Sequence, residues 1–108
     1  MRDSKGVLSS KVDPTRLDLA LEFRAKPFGG HTAELQQLLH LMRAGPIAGR
    51  HFLYITRPHQ EWTLARMSET QPLRPNLVGP VFTRLDEAEW HVFKLRWKEL
   101  TGDDLAIA

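Results

Sequence analysis

The segment 81–102, VFTRLDEAEWHVFKLRWKELTG, constrains the fold more than any other stretch of the chain. It opens with Thr83 followed three residues later by Asp86, the spacing of a capping box. Acidic Asp86, Glu87 and Glu89 come early and basic Lys94, Arg96 and Lys98 late, an order that suits the helix macrodipole. Gly102 stands where a left-handed C-terminal cap is wanted. At 100° per residue the apolar side chains fall into two stripes instead of one. Leu85, Ala88, Val92 and Leu95 form a narrow aliphatic stripe. Trp90, Phe93, Trp97 and Leu100 form a broader, mostly aromatic one on roughly the opposite side. A helix with a single wet face needs only one stripe, so this helix is expected to be covered on two sides.

Whether the rest of the chain supplies both covers is the question for function. At 108 residues it is near the commonest size of one domain, and much of its surface must stay exposed. There is no cysteine, which excludes disulfides, thiolate chemistry and cysteine-based metal sites. The first residues are polar and lack the apolar core of a signal peptide. No stretch reaches the ~20 apolar residues that cross a bilayer. A cytoplasmic protein is the resulting expectation.

Charge says little about partners. Fifteen basic residues face thirteen acidic ones, a formal charge of +2, and the two signs are interleaved. A nucleic-acid binder usually gathers its cations on one face. The run Phe93-Lys-Leu-Arg-Trp-Lys98 does mix bases with aromatics, as single-strand grooves do. At helical spacing that mixture also describes a core stripe with long cations lying beside it. Nucleic acid is therefore not the expected partner.

Read in order, residues 1–12 show no period and look like an arm. Asp13-Pro14 has the form of a helix start, yet Leu17, Leu19, Leu21 and Phe23 alternate with polar or small residues as a strand would. Helix is the preferred reading of that conflict. We divide the chain into an arm, partly disordered or helical, at 1–25, a domain at 26–102 and a fraying tail at 103–108. Within the domain, Thr32 can cap a helix that carries Leu35, Leu38, Leu39 and Met42 at the 3.6-residue period and stops at Gly45-Pro46. His51–Thr56 and Glu61–Met67 flank the turn-like Pro58-His59-Gln60 and predict a β-hairpin. A helix over 60–67 is the rival. Three prolines and a glycine mark 68–80 as a loop without regular structure, with a short strand at Val81-Phe82. The sum is a small α+β domain: helix, hairpin, long loop, helix, with the helices on a minimal antiparallel sheet.

A search for chemistry yields no catalytic or metal-ligating set. His31, His40, His51, His59 and His91 make no i, i+4 pair with a glutamate between them, and read as surface or half-buried polar residues. No nucleophile elbow, phosphate loop or dinucleotide fingerprint occurs. Glu87/Glu89 and Asp103/Asp104 read as solvated charge. Trp90, Phe93, Trp97 and Leu100 are left as the candidate partner-interface residues, because aromatic anchors dominate binding hot spots. The plainer reading is that Trp90, Phe93 and Trp97 cover the hairpin while Leu85, Ala88, Val92 and Leu95 pack on the first helix; if one stripe is an interface, Trp97 and Phe93 are the expected partner-facing pair.

Several stretches taken together resemble the small subunit of the N,N-dimethylformamidase family, two-subunit amidohydrolases. They are Pro27-Phe28-Gly29, the leucine-rich helix ending Met42-Arg43, and Pro46 with Gly49 ahead of the aromatic strand Phe52–Ile55. They continue through Trp62 to Phe82-Thr83, Glu87-Ala88 and the Val92-Phe93…Arg96 helix. The likeness covers about residues 26–102 and rests on order and spacing. It implies a non-catalytic small subunit that binds and stabilises a large catalytic one, in a hetero-oligomer hydrolysing small formamides or amides. It places a mononuclear iron in the large partner and no cofactor in this chain. A self-contained binding or regulatory domain, with nucleic acid as its ligand, is the alternative reading.

Overall fold

Alternation and helical period compete over residues 17–25, and the computed structural model, which describes residues 14–105, resolves the contest as helix α1, Leu17–Ala25. It buries Leu19, Ala20 and Phe23 and leaves Leu21 half exposed. A strand would have put Leu17, Leu19, Leu21 and Phe23 on one side. The helix begins later than Pro14 would suggest, at Leu17, with Arg16 at the cap position and no side-chain cap. Arg16 instead pairs with Asp18 at 3.0 Å and with Glu34 at 3.1 Å. Asp13, the remainder of the arm at 1–12 and the tail beyond 105 lie outside the described residues.

Helix α2, Ala33–Arg43, forms as its pattern predicts, with Leu35, Leu38, Leu39 and Met42 buried. Thr32 Oγ1 accepts the Leu35 N–H at 3.3 Å, the expected cap. Between the helices, positive φ values at Gly29 and Gly30 let the chain reverse.

The hairpin also forms. Strand β1, His51–Arg57, pairs antiparallel with β2, Glu61–Met67, and the Gln60 N–H donates to the Arg57 carbonyl at 3.0 Å across the turn. His59 takes the left-handed φ of +61° there. The rival helix over 60–67 is not seen.

The expected loop at 68–80 needs correction. Its second half is strand β3, Pro75–Phe82, paired antiparallel with β2 to give a three-stranded sheet in the order β1-β2-β3. Proline is tolerated in an edge strand because one side of the strand needs no N–H donor. Pro75 is the first residue of the strand, and Gly79-Pro80 sits in a bulge where the register with β2 slips between Thr63 and Ala65. Ser68 closes the shorter loop that remains. Its N–H donates to the Arg74 carbonyl at 2.8 Å, and its hydroxyl accepts the Arg74 N–H at 2.9 Å.

Helix α3, Leu85–Thr101, is the long helix read from the sequence, and Gly102 ends it with a φ of +82° and its N–H on the Lys98 carbonyl at 2.8 Å. At its start the capping box does not form. Asp86 turns to the Arg84 guanidinium at 2.6 Å and to the Glu87 N–H at 2.8 Å. An aspartate is one methylene shorter than the usual glutamate, and the neighbouring cation is within its reach. The Asp86 carboxyl is held below its ordinary value, first by Arg84.

The described residues thus make an α+β fold of three helices and one antiparallel sheet. The chain gathers into two compact units. One comprises Met1–Arg43 and Lys94–Ala108, the other Ala44–Phe93. Residues 17–25, read from the sequence as part of an arm, therefore belong to a packed unit, and Leu105 in the tail is buried as well.

Candidate partner interface

Along α3 the buried positions are Ala88, Val92, Phe93 and Trp97. Both stripes are thus drawn into the interior, as a two-sided helix requires. Trp97 is 1% exposed and Phe93 2% exposed, so the chain's own atoms enclose the two residues expected to face a partner. A core stripe and a hot-spot stripe have the same helical spacing, and the spacing alone does not separate them. Trp90 and Leu100 are half-buried. Trp90 stacks on Phe93 at 5.6 Å between centroids, with the rings 16° from parallel.

The sheet, in contrast, leaves large apolar side chains in water. Register assigns residues to its two sides, because directly paired residues point the same way. His51, Leu53, Ile55, Trp62, Leu64, Arg66, Asn76 and Phe82 share one side. Phe82 there meets the His91 ring of α3 at 5.3 Å. Phe52, Tyr54, Thr63, Ala65, Met67, Pro75, Leu77 and Val81 share the other. On it Tyr54 is 44% exposed and Leu77 and Val81 are each 56% exposed, around a central Ala65 that is fully buried. Thr56 joins this side, since its hydroxyl lies 3.1 Å from that of Thr63. The charges on this side are Glu61, two residues before Thr63 on β2, and its pair partner Arg57, both at the hairpin end; the other positions are uncharged. Sequence reading missed the surface because a third of it comes from β3, and the prolines of that strand read as loop.

The histidines are dispersed. His31 lies against Phe23 at 5.8 Å and bonds the Lys26 carbonyl at 2.5 Å. It lines an open cleft of about 450 Å³ with Phe28, His40 and Arg43. His51 is in β1, His59 in the hairpin turn and His91 on α3. Among the described residues no three His, Asp or Glu side chains gather closely enough to hold a metal ion. No helix among them is long and apolar enough to cross a membrane.

A family model described as N,N-dimethylformamidase alpha subunit matches residues 3–106, nearly the whole chain. The chain belongs to that family. The match reaches beyond the 26–102 stretch on which the likeness was read, and takes in α1. Comparison with curated proteins finds no match. An alpha subunit of N,N-dimethylformamidase implies a partner subunit.

Proposed function

We propose that this chain is the non-catalytic small subunit of an N,N-dimethylformamidase-type amidohydrolase, and that it binds and stabilises a larger, iron-dependent catalytic subunit. The complex hydrolyses N,N-dimethylformamide and related small amides. The observation that carries this reading is the alpha-subunit family match over residues 3–106. The iron belongs to the large subunit. Binding stabilises whichever state of the partner the small subunit recognises, by mass action. The cytoplasm is the proposed location.

The test is reconstitution. The chain should co-purify with the large subunit, and the pair should turn over formamides and retain iron. The purified chain alone should do neither. About one iron per isolated chain, together with amide turnover, would overturn the subunit reading.

A further inference from the structure

We propose that the side of the sheet centred on Tyr54, Leu77 and Val81 is the surface on which the large subunit docks; this rests on the subunit reading above. Antiparallel sheets that face water on one side normally keep polar residues there. Here nine positions on three strands carry no charge, Arg57 and Glu61 confine the charge to the hairpin end, and the largest of the exposed uncharged side chains are apolar or aromatic. Isolated exposed leucines are ordinary, but a contiguous apolar patch marks a contact surface. The Thr56 and Thr63 hydroxyls bond one another, which satisfies one of their two O–H donors within the sheet. Tyr54 adds the kind of side chain that anchors interfaces, a broad ring with a polar tip.

Area decides between a second copy of this chain and a larger partner. Three strands of about seven residues present a footprint of roughly 350 Å² at ordinary strand spacing. A stable pair needs about 800 Å² from each partner. Two copies stacked sheet to sheet fall well short of that. A larger subunit can cover this side and continue past it, to Val78 in the bulge of the edge strand, which is more than half exposed.

Because the chain has no cysteine, a single introduced thiol reports on one position. Leu77→Cys, Tyr54→Cys and Phe28→Cys variants of the full chain are labelled with a maleimide, free and in complex with the large subunit. Labelling at 77 and 54 is expected to slow at least tenfold in the complex. Equal labelling at both positions, or protection at 28 in their place, overturns the proposal while leaving the subunit reading intact. A wild-type chain that fails to bind the large subunit sinks the reading itself and the proposal with it. Protection at 77 in the free chain that grows with its own concentration assigns the surface to a second copy, and also overturns the proposal. As a second measure, Leu77→Asp should weaken the complex at least tenfold without changing the circular dichroism of the free chain. Unchanged affinity in a folded Leu77→Asp chain argues the opposite.

Discussion

The Glu22 carboxylate accepts both the backbone N–H and the hydroxyl of Thr32, at 2.7 and 2.8 Å. The contact joins the body of α1 to the cap of α2, because Thr32 also receives the Leu35 N–H. Donation by the Thr32 N–H, then by its hydroxyl, holds the Glu22 carboxyl below its ordinary value. A carboxyl depressed on folding stabilises the fold above its unfolded value, and that contribution is lost as pH falls through the folded value. At pH 7, Glu22→Gln should therefore lower Tm. The difference from wild type should shrink as the pH is taken below about 4.5, the unperturbed value. Thermal melts at pH 7 and pH 3 check this, and a gap that widens toward acid contradicts it. Thr32→Ala, which also removes the cap, should cost about 1 kcal/mol.

Trp97 belongs to the interior, and its replacement should show that directly. Trp97→Ala should cost about 3–5 kcal/mol, the usual loss for a large buried aromatic. Trp97→Glu should leave the chain unfolded, since an unpaired ion would be buried. Val92→Asp should do the same. Urea titrations followed by circular dichroism distinguish these outcomes, and a folded Trp97→Glu chain would return the aromatic stripe to the partner surface.

Gly102 after α3 and His59 in the hairpin turn both hold left-handed backbone. A side chain at Gly102 meets no atom within 4 Å, so the cost of Gly102→Ala is conformational alone. It should be about 1–2 kcal/mol. His59 already bears such a cost. His59→Val should be less stable than His59→Gly by a similar ~1–2 kcal/mol. Chemical denaturation of the three variants measures both differences, and equal stability of the two turn variants would contradict the assigned φ.

The alternative ligand has its own measurement. With interleaved charges and a net +2, the chain should bind single-stranded DNA weakly and release it by ~0.2 M salt, as counterion release dictates. Retention on a single-stranded DNA column at that salt would favour the binding-domain reading.

Local chemistry was enough to locate α2, the β1–β2 hairpin and α3, because each carries a strong period and its own stop signal. The Gly102 cap and the Thr32 cap were legible for the same reason, since a cap is a contact within a few residues. Strand β3 was not legible: an edge strand draws its order from pairing with β2, and Pro75 and Pro80 hide it from any local rule. The two stripes of α3 were visible in the sequence, but what covers Phe93 and Trp97 was not, because burial depends on neighbours distant in the chain. For the same reason the candidate interface emerged only from the tertiary structure. Phe52, Tyr54, Met67, Leu77 and Val81 come from three strands, and register alone turns them to one side.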